Sequence, residues 1–204
     1  MNSGKSAKWG DLGIRTASSL ILIPVVIACA WFGGFWFKGL VFLLAGLIAH
    51  EWVSIVHPKN ITQHALHMAA AICGTLFPDM LGVEIALLTI LALALASGLM
   101  VRFGNSTSSK WSYVGVFYVG FPAIAFTLLR SDPAYGFSAI LWIFLIVWAA
   151  DILAYFAGRT IGGPKLAPVI SPKKTWAGLG GAVAGSALVS FIFASVTQLN
   201  GIWT

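Results

Sequence analysis

A chain of 204 residues with 59% hydrophobic and 9% charged side chains lacks the polar surface of a soluble domain, in which about a quarter of residues are charged. The composition also excludes disorder, collagen and a disulfide-rich secreted scaffold, because Cys29 and Cys73 both fall inside apolar runs and act there as small hydrophobes. Twelve Lys and Arg stand against six Asp and Glu, a net charge of +6. The basic residues lie between apolar runs, so the excess reads as membrane topology and anionic partners, not nucleic acid.

A helix that crosses a bilayer needs about 20 mainly apolar residues. Seven segments qualify, at roughly 17–33, 39–56, 65–82, 84–101, 112–129, 137–157 and 177–197. The expected fold is therefore all-α, a polytopic membrane helix bundle of about seven transmembrane helices. The third segment is the weakest, with Pro78 and Asp79 near its end and almost no polar linker before the fourth. Lys5, Lys8 and Arg15 before the first span resemble a signal peptide, but six further spans make that stretch a cytoplasmic tail. Gly4-Lys5-Ser6 lacks the earlier glycine and the strand of a phosphate-binding loop.

With the N-terminus cytoplasmic, the inner side receives Lys5, Lys8, Arg15, Lys59, Arg102, Lys110, Arg159, Lys165, Lys173 and Lys174. The outer side receives only Lys38 and Arg130, with Asp79, Glu84 and Asp132. Ten basic residues against two predicts seven spans, an outer C-terminus and a cytoplasmic connection over roughly 158–176. No repeat or low-complexity tract marks a boundary, so residues 1–204 read as a single transmembrane domain.

Polar residues at membrane depth are costly and each needs a reason. Asp151, Tyr155 and Arg159 follow i, i+4, i+8 spacing and share one helical face. A carboxylate about two turns inside the helix end suits a hard divalent cation, whereas solvation at the interface or pairing to Arg159 is the plainer use. The segment from Gly158 to Ser171, with Gly162, Gly163, Pro164 and Pro168, is expected to be a folded, non-helical excursion, long for a simple connector. Ser171-Pro172 reads as a helix cap followed by proline at the first helical position, which puts Lys173 and Lys174 in the first turn. Cations there oppose the helix dipole. An anion held by free N–H groups and both ammonium groups resolves that conflict, although topology or headgroup anchoring also explains two lysines. His50-Glu51-Trp52 does not open a zinc-binding helix, because position 54 is Ser54. His57, His64 and His67 read as solvated loop residues, with a metal site as the less common alternative, and Glu51 has no assigned role. Gly178, Gly180, Gly181 and Gly185 have the small-residue spacing of close helix packing.

The helix from Asp151 to Arg159, followed by Lys165-Leu166-Ala167-Pro168 and Ser171-Pro172-Lys173-Lys174-Thr175-Trp176, resembles the cytoplasmic signature region of the CDP-diacylglycerol synthases, or phosphatidate cytidylyltransferases. Arg15 to Gly34 and Glu51-Trp52 are similar to earlier parts of the same family. The likeness is loose over most of the chain and close over residues 148–181. Two departures stand out: Ala177 replaces a usual Glu, and residues 1–204 do not contain the family's Lys-Asp, Pro-Gly-His-Gly-Gly and Asp-Arg-x-Asp segment, which supplies acidic metal ligands.

The resemblance implies attack by the phosphate of phosphatidic acid on the α-phosphorus of CTP, releasing pyrophosphate and CDP-diacylglycerol. In that reading Asp151 is a catalytic residue that helps to hold Mg²⁺, and Lys173 and Lys174 hold phosphates. Arg159 and Lys165 add positive charge, and Ser171 and Thr175 hydrogen-bond phosphate oxygens. It further implies CTP, phosphatidic acid and membrane lipids as partners, no nucleic acid, a homodimer as candidate assembly, and the cell's inner membrane as location. With the acidic segment outside it, the 204-residue chain is expected to have little activity alone. The alternative is a non-enzymatic polytopic protein, a transporter or a degenerate homologue. Collection of the polar residues at cytoplasmic helix ends, not at mid-membrane, favours chemistry on a lipid headgroup.

Overall fold

The computed structural model describes residues 7–103 and 109–197, with side chains from residue 18 onward. Seven α-helices follow one another: α1 Ala7–Phe32, α2 Gly34–Val56, α3 Ile61–Met80, α4 Val83–Phe103, α5 Ser109–Ser131, α6 Gly136–Thr160 and α7 Trp176–Thr197. A two-stranded antiparallel hairpin, β1 Lys165–Ala167 and β2 Ser171–Thr175, precedes α7. All seven expected segments are helical. Five of these helices (α2, α4, α5, α6 and α7) are long and apolar enough to cross a bilayer, while the apolar part of α1, Ser18–Phe32, is shorter. The third is again the least apolar case, since α3 carries Gln63, His64, His67 and Asp79.

The chain forms two compact units, residues 1–137 and 138–204. In the first, the inward faces are built from small residues: Ala45 and Ala49 of α2, Ala70 and Ala71 of α3, Ala86 and Ala94 of α4, and Ala123 of α5 are all buried. Leu43, Leu47, Leu88, Leu91 and Leu95 point outward. This inversion of a soluble core follows from the solvent. Lipid tails are as apolar as leucine, so helices gain by close approach and not by hiding leucines. Contact is tight enough that a Cβ on Gly74 would lie 2.8 Å from the Gly120 carbonyl oxygen.

Polar side chains then stitch the helices at set levels. Between α3 and α4, Ser97 Oγ donates to Gln63 Oε1 at 2.6 Å and Gln63 Nε2 donates to the Ser97 carbonyl at 3.1 Å, both buried. At one end of the unit, Arg130 of α5 donates to the carbonyls of Ala30 and Trp31 at 2.6 and 3.0 Å, capping α1. Lys38 pairs with Asp79 at 2.7 Å at that end, and Ser131 also donates to Asp79. Gly33, at φ 63°, makes the turn there, and a Cβ on it would sit 2.5 Å from the Arg130 guanidinium. That turn replaces the longer linker expected from the sequence, and α2 starts directly at Gly34.

At the opposite end, Trp52 Nε1 donates to the Trp111 carbonyl at 3.1 Å, and His57 Nε2 meets Ser112 Oγ at 2.6 Å. The histidine reading needs correction here. His64 and His67 lie in α3 and not in a loop, and both His57 and His67 are buried. His67 is held through Nδ1 on the Gln63 carbonyl at 2.8 Å.

Burial holds His57 below its ordinary value near 6.5. An unfolded chain therefore takes up this proton first, so stability present above about pH 6.5 is lost as the pH falls. Acidifying the detergent-solubilised protein from about pH 7.5 to 5.5 should lower its melting temperature, and His57→Gln should reduce that fall. An identical fall in the variant would remove His57 from the cause.

Candidate active site

The sequence-selected site residues all fall in the second unit. Residues 138–204 contain one acidic residue, Asp151, against four basic ones, Arg159, Lys165, Lys173 and Lys174. Their scaffold is a backbone-to-backbone contact between α6 and α7. A Cβ on Gly181 would lie 2.6 Å from the Leu153 carbonyl oxygen, and one on Gly185 would lie 2.6 Å from Leu153 Cδ1. One on Gly178 would approach the Ala154 carbonyl oxygen at 3.1 Å. The glycine spacing thus does what the sequence suggested, with one exception: Gly180 faces open space.

The hairpin is anchored to this helix pair at its base. Gly162 and Gly163, at φ 69° and 87°, turn the chain out of α6, a backbone that side-chain-bearing residues adopt only with strain. Antiparallel pairing sets Lys165 opposite Thr175 and Ala167 opposite Ser171. Thr175 is buried, and its Oγ1 accepts the Gly178 N–H at 3.1 Å. The same oxygen would sit 3.1 Å from a Cβ on Gly158. Trp176 N–H donates to the Pro164 carbonyl at 3.1 Å.

This arrangement corrects the expected helix start. Ser171 is not a helix cap, and Pro172, Lys173 and Lys174 are in β2, so the cap is Thr175. Strand pairing gives the backbone of both limbs their partners, and Pro172 is tolerated because a two-stranded ribbon has only edge strands. The helix start expected at Ser171 is thus absent, and at the observed start Thr175 and Pro164 take the N–H groups of Gly178 and Trp176. Two steps along β1 are matched by four along β2, so the pairing is irregular opposite Pro172–Lys174 and strict alternation does not hold there. Lys173 and Lys174 are both exposed, just before the buried Thr175. Thr175 is therefore a structural cap, and Ser171 is half-buried.

On α6, Asp151 is exposed and makes no hydrogen bond or ion pair among the described residues. Arg159 instead donates to the Tyr155 hydroxyl, with its guanidinium carbon 5.6 Å from the ring centroid. The helix thus orients Arg159 through Tyr155 and leaves the carboxylate available. Asp151 is seven residues before Gly158, or about 10 Å along the helix. Lys165, Lys173 and Lys174 are exposed, and no acidic side chain pairs with them among the described residues. Among the described residues, no group of three His, Cys, Asp or Glu converges there either. The donor set for a cation is one carboxylate, which fits Mg²⁺ as it is commonly held, by one or two carboxylates with phosphate oxygens and water completing the octahedron.

A family model described as "Cytidylyltransferase family" matches residues 13–204. A phosphatidate cytidylyltransferase of Brucella abortus is 32% identical over 195 residues, covering 95% of this chain and 71% of that protein. One from Staphylococcus haemolyticus is 28% identical over 198 residues, covering 93% and 75%. A third, from Rickettsia bellii, is 35% identical over 109 residues, covering 52% and 47%.

Lys173 is exposed and has no acidic partner among the described residues. Lys173→Ala should weaken CTP binding about tenfold, the loss of one charge-assisted contact. Unchanged binding in a direct titration would remove Lys173 from the phosphate site.

Proposed function

This chain belongs to the cytidylyltransferase family, and we propose that it is a phosphatidate cytidylyltransferase, joining CTP to phosphatidic acid to give CDP-diacylglycerol and pyrophosphate. The observation that carries the site assignment is the charge layout of the second unit: one carboxylate on α6 and, anchored beside its end, a hairpin bearing lysines, all unpaired among the described residues. That layout suits two polyanionic substrates, one of them embedded in a bilayer.

The reaction joins a phosphate oxygen of phosphatidic acid to the α-phosphorus of CTP and breaks the bond from that phosphorus to the bridging oxygen of the leaving pyrophosphate. A phosphate oxygen is already ionised near neutral pH, so no side chain need act as a base. The work of the protein is positioning and charge neutralisation. Lys173 holds a phosphate, and Arg159, oriented by Tyr155, adds a second directed cation. Lys165 contributes positive charge at the hairpin base. Asp151 is the residue that would hold Mg²⁺, which supplies neutralisation of phosphate charge when bound.

The ten-to-two division of basic residues supports a cytoplasmic hairpin in a multi-pass protein of the inner membrane, on the side where CTP is available.

The test is formation of CDP-diacylglycerol from CTP and phosphatidic acid with Mg²⁺, using this chain joined to the C-terminal segment of the Brucella relative. Asp151→Asn should lower turnover about 10- to 100-fold, the loss of one charged contact, with membrane insertion unchanged. Undiminished turnover would reduce Asp151 to an interfacial residue.

A further inference from the structure

Among the described residues outside the spanning helices, the most exposed apolar side chains are Val169, 97% exposed, and Ile170, 88% exposed, at the tip of the hairpin. They stand between Pro168 and Pro172, and nothing in the phosphate-binding reading uses them. Two neighbours extend the pattern: Ile161 just past α6 and Trp176 at the start of α7 are also exposed. Tryptophan at a spanning-helix end is a common marker of the membrane interface.

Pro168 and Pro172 on either side of the tip are exposed too, as are Lys173 and Lys174. An apolar tip followed by lysines with no acidic partner among the described residues is the pattern of a segment lying at a lipid surface, with the apolar part below the headgroups and the ammonium groups at phosphate level. Spanning helices leave and re-enter on either side of the hairpin, so the tip is never far from the bilayer: Val169 is nine residues after Thr160 and Ile170 six before Trp176.

We propose that the hairpin tip is a membrane-docking element, with Val169 and Ile170 seated at the headgroup–acyl boundary.

The test places an environment-sensitive nitrobenzoxadiazole probe on Val169→Cys, with Cys29 and Cys73 replaced by Ala, in this chain joined to the C-terminal segment of the Brucella relative and reconstituted into phosphatidylcholine–phosphatidylglycerol vesicles. Expected are blue-shifted emission and quenching by lipids doxyl-labelled near the headgroup. Water-like emission would overturn the proposal, and so would blue-shifted emission without lipid quenching, which would mean that protein covers the tip. A second readout rests on the cytidylyltransferase reading: Val169→Ser/Ile170→Ser should raise KM for vesicle-borne phosphatidic acid about threefold, with turnover of a water-soluble short-chain phosphatidate unchanged. An equal loss on both substrates would also count against docking. The fluorescence result stands whether or not the chain proves to be this enzyme.

Discussion

The direct approach of α6 and α7 is the constraint on which the rest of the second unit depends. In lipid there is little hydrophobic gain in bringing two apolar helices together, so association relies on close van der Waals contact and internal polar bonds. Gly178, Gly181 and Gly185 permit that contact against Ala154, Leu153 and Ala157, and at Gly181 a methyl group would collide with the Leu153 backbone. The approach also puts Gly158 and Gly178 close enough for Thr175 to fit between the helix ends with its hydroxyl oxygen on the Gly178 N–H. Once Thr175 is fixed, the base of the hairpin before it is fixed too, and the lysines that precede it are held beside the helix ends.

Charges in the two units are used in different ways. In the first, Arg130 and Lys38 are tied to carbonyls and to Asp79, where they close helix ends. In the second, Lys165, Lys173 and Lys174 have no acidic partner among the described residues. Exposed ion pairs contribute little to stability, so leaving these lysines unpaired costs the fold little. It also leaves their charge for phosphate, whether of a nucleotide or of a lipid.

The helices were legible in the sequence because length and hydropathy alone decide what survives in a bilayer. The packing role of the glycines was legible for the same reason, apart from Gly180, whose outward direction depends on where the partner helix lies. The hairpin was not. Ser171-Pro172 carries a sound local signal for a helix start, and only pairing with Lys165–Ala167 together with the Thr175 cap overrides it. The competing signal was present, since Thr175 precedes Trp176 and a glycine-rich apolar run, but two caps four residues apart are not ranked by local chemistry. The turn at Gly33 escaped notice because its reason, Arg130, is remote in the chain. Likewise, the burial of His57 depends on Ser112 of α5. Asp151 stood out from the start, as an ionised group in an apolar helix always does.

The most direct measurement compares leucine at two adjacent glycines of α7. Gly181 packs against Leu153 and Ala157, and Gly180 faces open space. Both variants, in the chain extended with a relative's C-terminal segment, would be assayed for CDP-diacylglycerol formation after insertion is verified. Gly180→Leu should keep activity within about twofold, and Gly181→Leu should lose about tenfold or more, because a small displacement of catalytic groups is that costly. Equal activities in the two variants would contradict the dependence of the site on the α6–α7 contact.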